Sequence, residues 1–152
     1  MNLTVYTDGA SRGNPGKSGA GILILDGNKQ KMASLNKYLG VSTNNEAEYK
    51  ALIIALEYLS SILPNARGIS GVLFLLDSQL LVNQMNGVYS VKSANILPLY
   101  NKAQKLLKDI KTAPKLREGL LKVTFRYIPR ELNKDADRLA NLAIDASAAV
   151  SV

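Results

Sequence analysis

The feature of this sequence that most constrains its fold is the N-terminal region, where three β-type segments precede any helical pattern. Leu3–Asp8 alternates and is rich in β-formers, and the glycine-rich stretch 9–19 that follows it predicts a loop. Segments 20–25 and 30–39 flank Asp26-Gly27-Asn28, and an Asp-Gly step between two apolar runs is a strong hairpin signal. The sequence therefore predicts an antiparallel meander of three strands.

The rest of the chain alternates between helical and strand patterns. Thr43 and Glu46 have the spacing of a capping box, which predicts the start of a helix, and Pro64 ends that helix's apolar periodicity. The later predicted elements are a strand at 71–76, short and longer helices at 78–86 and 95–111, a strand at 121–128, and a helix capped by Asn133 that continues through Ala146. This order predicts an α/β fold with a five-stranded mixed sheet, antiparallel in its first three strands and flanked by helices. We expect a single domain over residues 1–146 and a short flexible tail over residues 147–152.

The composition limits the chemistry and the partners of such a fold. The 152 residues include no histidine and no cysteine, so a metal site would need oxygen ligands, which favour Mg²⁺ or Mn²⁺ over zinc. A formal charge of +7 is compatible with a polyanionic partner. No apolar stretch reaches the roughly 20 residues of a membrane helix, and the N-terminal residues lack the pattern of a signal peptide. We therefore expect a cytoplasmic monomer with no membrane partner and no obligate protein partner.

Glu48 is the acidic residue whose helical position most needs an explanation. It precedes Leu52 by four residues and Ala55 by seven, so on a helix it lies over the stripe that packs against the sheet. A carboxylate there needs a cation, a cluster of hydrogen bonds or a proton. Periodicity supports two interpretations equally: a metal ligand, or a buried glutamate neutralised by a neighbouring lysine or arginine.

Three aspartates complete a possible ligand set, and each also has an ordinary structural interpretation. Asp8 lies on the strand face opposite Leu3 and is followed by glycine, so it could be a simple turn residue. Asp77 follows a buried strand and could cap the next helix, although Ser78 could do so instead. Asp137 falls in the first turn of the last helix, where a carboxylate complements the helix dipole, and Asp135 is the alternative there. The combination is more specific than any one member.

Several ordered segments of the sequence together match one known family. These segments are Tyr6-Thr7-Asp8-Gly9, Gly13-Asn14-Pro15-Gly16, Thr43-Asn44-Asn45-Glu46-Ala47-Glu48, Asp77-Ser78-Gln79, and Asn133 through Ala140. On these segments the chain resembles type 1 ribonuclease H across nearly its whole length. The resemblance implies four metal ligands, Asp8, Glu48, Asp77 and Asp137, which would bind two Mg²⁺ ions, with Mn²⁺ as a substitute.

The resemblance also implies an activity and a substrate. The expected reaction is two-metal-ion hydrolysis of the RNA strand of RNA/DNA hybrids, which leaves 5′-phosphate and 3′-hydroxyl ends. Double-stranded RNA is a second candidate substrate, because an A-form duplex presents 2′-hydroxyls on both strands. The alternative from another class is a non-catalytic hybrid-binding module, in which four carboxylates without metal would repel phosphate. The substrate-binding residues implied by the matching motifs are Gly9, Ser11, Asn14, Thr43, Asn44, Asn45, Ser78 and Gln79.

The chain also departs from many bacterial members of that family. It has no histidine to assist proton transfer, and Arg130, seven residues before Asp137, resembles the arginine of an archaeal-type variant. Arg130 is then expected to bind phosphate or assist product departure, because arginine does not exchange protons near neutral pH; the alternative is a surface arginine. Val41 stands where many members have an arginine near the DNA-strand phosphate. No tryptophan-rich basic handle is present, and four lysines spaced every three residues drift around their helix: Lys102, Lys105, Lys108 and Lys111.

Overall fold

A computed structural model describes the chain at residues 1–112 and 120–150. Within these residues the strands are β1 (Asn2–Gly13), β2 (Gly16–Leu25), β3 (Lys31–Ser42), β4 (Gly71–Leu76) and β5 (Lys122–Tyr127). The α-helices are α1 (Asn44–Ile62), α2 (Gln79–Met85), α3 (Leu97–Thr112) and α4 (Lys134–Val150), and short 3-10 turns cover Leu63–Asn65 and Arg130–Leu132. The predicted order of elements is confirmed.

The described strands form one mixed sheet in the order β3-β2-β1-β4-β5. β2 is antiparallel to both of its neighbours, whereas β4 is parallel to β1 and to β5. The predicted mixed sheet is therefore confirmed, with β1 at its centre. Thr7 of β1 pairs with Leu76 of β4, so the next residues, Asp8 and Asp77, lie on adjacent strands at the same edge.

Helices cover both faces of the sheet. The apolar side of α1, including Leu52 and Leu56, packs into the main core with Ile22 of β2. Helix α4 packs on the opposite face of β2, where a Cβ added at Gly21 would lie 2.0 Å from the carbonyl oxygen of Ala136. Side chains alternate between the faces of a strand, so the glycine side of β2 receives α4 while its isoleucine side receives α1. At the described positions, none of the helices combines the length and the apolar character needed to cross a bilayer.

The glycine-rich stretch 9–19 is not a loop, and that prediction is wrong. β1 continues through Gly13 and β2 begins at Gly16, so the turn between them is limited to Asn14-Pro15. Some of these glycines allow close helix packing instead of forming a turn. A Cβ at Gly9, for example, would lie 2.1 Å from the carbonyl carbon of Ala47 in α1.

The start of α1 agrees with its prediction, whereas the end of α4 does not. The capping box is confirmed, since Thr43 Oγ1 accepts from Glu46 N at 3.2 Å and Glu46 Oε1 accepts from Thr43 N at 2.9 Å. The last helix was predicted to end near Ala146, whereas α4 continues to Val150. The backbone of residues 147–150 is therefore helical, and residues 151–152 of the predicted tail lie outside the described residues. The single-domain assignment stays a prediction.

Candidate active site

The four predicted ligand carboxylates come from four different elements and meet at one groove. Asp8 lies in β1, Glu48 in α1, Asp77 just after β4, and Asp137 in the first turn of α4. All four line an open groove of about 420 Å³, and Arg130 lies on its wall. Oxygen atoms of three of them, Asp8, Glu48 and Asp77, lie within 4.8 Å of one another. Such a spacing suits several oxygen ligands around one hard cation.

Glu48 is held at the groove by the backbone of β1. Gly9 N donates to Glu48 Oε1 at 3.0 Å, and the residue is only 8% exposed. Its second oxygen, Oε2, is buried and has no hydrogen-bond partner. No lysine or arginine at the described positions forms an ion pair with this carboxylate. The interpretation of Glu48 as a glutamate neutralised by a basic neighbour is therefore not what the fold shows, and Oε2 is left free to bind a cation.

Burial and mutual repulsion make these carboxyl groups hard to ionise without a cation. Burial, followed by the charge of Asp8, raises the pKa of Glu48 well above its ordinary value of 4.5. Burial raises the pKa of Asp8 from 3.8 to about 7, and the negative charges of Asp77 and Asp137 raise it further. Burial also raises the pKa of Asp77. A divalent cation would favour the ionised forms, because its charge offsets both desolvation and repulsion.

Asn133 connects three elements beneath the carboxylates. Its Nδ2 donates to the carbonyl oxygen of Thr7 at 2.9 Å and to Asp77 Oδ2 at 3.2 Å, and the bond to Asp77 lowers the pKa of that carboxyl. Asn133 Oδ1 is buried without a partner, so the side chain does not cap α4. The predicted side-chain cap is therefore wrong, since a capping oxygen must accept from the first turn. The amide instead orients a carboxylate of the site.

Asp77 is free to face the groove because its neighbour caps the next helix. Ser78 Oγ accepts from Leu81 N at 3.3 Å at the start of α2. The interpretation of Asp77 as an N-cap is therefore not realised. A Coulombic attraction to Arg130 also lowers the pKa of Asp77, which indicates that the guanidinium is close enough to influence this carboxylate.

Most of the predicted substrate-binding residues lie beside the carboxylates. Five of them line the same groove: Gly9, Ser11, Asn44, Asn45 and Ser78. Two more line an adjoining cavity of about 380 Å³ that shares the Asn44 and Asn45 walls: Asn14 and Thr43. Asn14 Oδ1 accepts from Asn44 N at 3.0 Å, which ties the β1–β2 turn to the start of α1.

Some positions differ from the sequence-based expectation. Gln79 is exposed at the first residue of α2 and lines neither of these two cavities. Ser93 and Asn95, which sequence reasoning missed, line the adjoining cavity. They lie between α2 and α3, where no periodic pattern marks a residue as facing a site. Val41, at the end of β3, is 68% exposed.

Comparison with known proteins places the chain among its relatives. Residues 6–143 match the family profile described as reverse transcriptase-like. The bifunctional protein Rv2228c of Mycobacterium tuberculosis is 35% identical over 149 residues, which are 97% of this chain but only 37% of that relative. The chain thus spans little more than a third of the length of this curated relative.

Solved structures reproduce the fold over nearly its full length. An RNase H1 from the halophilic archaeon Halobacterium salinarum superposes with a TM-score of 0.81 at 32% identity, covering 96% of this chain and 99% of that chain. LC11-RNase H1, solved in complex with an RNA/DNA hybrid, superposes with a TM-score of 0.83 at 36% identity, covering 95% and 98% of the two chains.

Proposed function

We infer the function from one premise: this chain belongs to the reverse transcriptase-like family, and its resemblance to type 1 ribonuclease H is confirmed. We propose that it is an endoribonuclease that hydrolyses the RNA strand of RNA/DNA hybrids and leaves 5′-phosphate and 3′-hydroxyl ends. Support for this substrate comes from LC11-RNase H1, a similar protein solved with an RNA/DNA hybrid.

One observation carries the proposal: three carboxylates converge at the groove, and no lysine or arginine at the described positions forms an ion pair with any of them. Glu48 Oε2 is buried without a partner, and oxygens of Asp8, Glu48 and Asp77 lie within 4.8 Å of one another. Evolved proteins rarely leave a buried charge unpaired, because the desolvation cost is large. The donor set consists of oxygen atoms alone, which fits Mg²⁺ and Mn²⁺.

The four carboxylates and Asn133 would have different roles in the reaction. When bound, two Mg²⁺ ions, with Mn²⁺ as a substitute, supply Lewis acidity to the scissile phosphate and lower the pKa of an attacking water. Asp8 and Glu48 form the buried floor of the groove, and each would provide one carboxylate ligand to a cation. Asp77 and Asp137 stand at the open side, where they can bind a cation and still face a phosphate. Asn133 fixes the Asp77 carboxylate through its 3.2 Å hydrogen bond.

Recognition of the RNA strand falls to amide and backbone groups beside the carboxylates. The 2′-hydroxyl both donates and accepts, and it is the group that distinguishes RNA from DNA. Asn44 and Asn45 line the groove next to Glu48, and their side-chain amides offer both a donor and an acceptor. Gly9, Ser11 and Ser78 line the same groove. The hydroxyl of Ser11 already donates to the carbonyl oxygen of Ser42 at 2.9 Å, so its backbone is the better contact for the hybrid.

Arg130 would bind phosphate and would not take part in proton transfer. It lines the groove from the 3-10 turn Arg130–Leu132 and attracts Asp77 electrostatically. A guanidinium stays charged at any pH the protein experiences, so it offers a permanent binding group for phosphate or for the departing product.

The test is cleavage of end-labelled duplexes by the purified chain. RNA/DNA, RNA/RNA and DNA/DNA duplexes would each be incubated with Mg²⁺, Mn²⁺ or a chelator, and the product ends would be mapped with phosphatase and ligase. We expect cleavage of the RNA strand of the hybrid with metal and none with chelator. Cleavage of RNA/RNA would extend the substrate range to double-stranded RNA. Binding of the hybrid without cleavage in either metal would support the non-catalytic alternative and overturn the proposal.

A matched pair of variants within α4 tests which aspartate of this helix is the metal ligand. Asp137 lines the groove, whereas Asp135, two residues earlier, is exposed and forms a 3.8 Å ion pair with Arg138. We expect Asp137→Asn to lower kcat by at least about 10²-fold, in the range for loss of one electrostatic group at a reaction centre. Asp135→Asn carries the same change of charge and should keep wild-type turnover. Loss of turnover in Asp135→Asn together with wild-type turnover in Asp137→Asn would identify Asp135 as the metal ligand instead.

A further inference from the structure

Asn141 is a polar residue that lines the groove, and the sequence predicted no role for it. It lies one helical turn after Asp137 on α4 and lines the groove with the carboxylates. Its Nδ2 donates to Asp137 Oδ1 at 3.3 Å and to the carbonyl oxygen of Asp137 at 3.0 Å. The amide therefore contacts both the side chain and the backbone of one predicted metal ligand.

The orientation of this amide is fixed from its other side by Arg12. Arg12 Nη2 donates to Asn141 Oδ1 at 3.2 Å. A guanidinium can only donate and an ionised carboxylate can only accept, so an amide between the two must turn its oxygen to Arg12 and its nitrogen to Asp137. The flipped amide would place two donors together at one end and two acceptors together at the other.

Arg12 is itself fixed to the same helix. Its Nη1 forms a 2.8 Å ion pair with Asp145, one further turn along α4. Arg12 lies near the end of β1, between Ser11 and Asn14, two residues already expected to contact the hybrid. The chain of contacts Asp145–Arg12–Asn141–Asp137 thus joins the substrate-facing hairpin to the helix that carries the ligand.

We propose that Asn141 and Arg12 are positioning residues that hold the Asp137 carboxylate toward the groove for divalent-cation binding. The inference rests on the proposed function, since it assigns Asp137 to the metal site. Asn141 Nδ2 donates to Asp137 Oδ1, which would limit rotation of the carboxylate that faces the groove. Arg12 acts through Asn141 because its guanidinium contacts the amide and not the carboxylate. Partners of this kind, one shell out from a metal ligand, often govern both metal affinity and turnover.

The experiment combines two readouts on the same variants of the whole chain. Asn141→Leu keeps the size of the side chain but removes its donor and its acceptor. Arg12→Met removes the guanidinium and keeps a long side chain. Mn²⁺ binding would be titrated calorimetrically without nucleic acid, and kcat and KM would be measured separately on an RNA/DNA hybrid. Arg138→Met, which makes the same charge change on the exposed side of α4, is the control.

We expect Asn141→Leu to weaken Mn²⁺ binding and lower kcat by about 10-fold each, with KM unchanged. Arg12→Met should also weaken Mn²⁺ binding and lower kcat, but by less than Asn141→Leu does. The double variant should be no worse than Asn141→Leu alone, because the arginine acts through the amide. Arg138→Met should match the wild type in both readouts.

Three results would overturn the inference. Wild-type Mn²⁺ affinity in Asn141→Leu would remove the positioning role. A raised KM with unchanged metal binding would make Asn141 a substrate contact instead. Fully additive losses in the double variant would separate Arg12 from Asn141. Failure of the proposed function is distinguishable, because a wild-type chain that cleaves no hybrid would still report on Asn141 through the metal titration.

Discussion

The two halves of the acidic cluster are held in different ways. Asp8 and Glu48 are 5% and 8% exposed, and Glu48 accepts a hydrogen bond from a backbone N–H, that of Gly9. Asp77 and Asp137 are only partly buried, and each accepts a hydrogen bond from an asparagine side chain. The buried half therefore depends on the packing of α1 against β1, whereas the open half depends on amides that can be replaced one at a time. We expect substitutions in the buried half to abolish the metal site and those in the open half to lower turnover by degrees.

The largest effect should come from Glu48→Gln, which breaks the buried half. Glutamine keeps the shape but removes the charge that a cation needs, so we expect kcat to fall by at least about 10³-fold. The variant should also be more stable than the wild type in chelator, because a buried carboxyl group that repels Asp8 is gone. Steady-state cleavage and thermal melting measure the two effects.

Glu46→Gln is the matched control, two residues earlier on the same helix. Glu46 Oε1 accepts from Thr43 N in the capping box, and glutamine can serve at that position as well. We expect wild-type cleavage and a stability change of about 0.5 kcal/mol or less. Equal loss of activity in the two variants would remove the distinction between Glu48 and its neighbour.

In the open half, the next largest effect is expected from Asn133→Ala. The substitution frees the Asp77 carboxylate and leaves the buried carbonyl oxygen of Thr7 without its donor. We expect kcat to fall by about 10- to 100-fold and the free energy of unfolding to fall by about 1–3 kcal/mol. Asn36→Ala, at an exposed position of β3, is the control and should change neither. Activity at the wild-type level would show that Asp77 needs no partner.

Arg130→Ala should have a smaller effect, because Arg130 faces the groove without being one of the ligands. We expect turnover to fall by about 10-fold, in keeping with the loss of a charge-assisted phosphate contact worth about 1.5 kcal/mol. Metal binding measured by calorimetry should survive. Arg126→Ala, an exposed arginine on β5, makes the same change of charge and is the control. Unchanged kinetics would remove Arg130 from the mechanism.

The pH dependence of stability offers a subtler test of the buried half. The pKa of Asp8 is raised from 3.8 to about 7, so between these values the folded chain binds more protons than the unfolded chain. Stability in chelator should therefore decline as pH rises through this window, and added Mg²⁺ should reverse the decline by binding the folded state. Urea unfolding of the wild type and of Asp8→Asn across the window isolates this contribution. If the free energy of unfolding of the wild type changed with pH in parallel with that of Asp8→Asn, this contribution of Asp8 would be contradicted.

The same contrast explains what the sequence could and could not predict. The order of elements and the antiparallel pairing of the first three strands follow from local turn signals and apolar runs, and the inward position of Glu48 follows from helical phase, so the sequence predicts all three. The glycines of residues 9–19 predict a loop because a missing side chain has the same signature in a turn and in a tight contact between elements. Only the position of α1 against Gly9 distinguishes the two cases.

The amide partners were hidden for a related reason. Asn133 precedes a helix and was interpreted as its cap, but its donor reaches Thr7, which is 126 residues away in the sequence. Asn141 is four residues from Asp137, a spacing that permits a side-chain contact without indicating one. Arg12, which orients Asn141, is 129 residues distant from it. Such partners depend on how α4 crosses β1, which no local pattern encodes.

The most direct test of the central claim, that the carboxyl groups of Asp8, Glu48 and Asp77 form a divalent-cation site, is calorimetric titration of Mg²⁺ into the wild-type chain without nucleic acid. The titration would be run below the Asp8 pKa of about 7, in two buffers with different ionisation enthalpies. Metal ligands must lose their protons to bind, so the predicted result is binding with net proton release, seen as a heat that depends on the buffer. A buffer-independent heat, or no binding at all, would contradict the account.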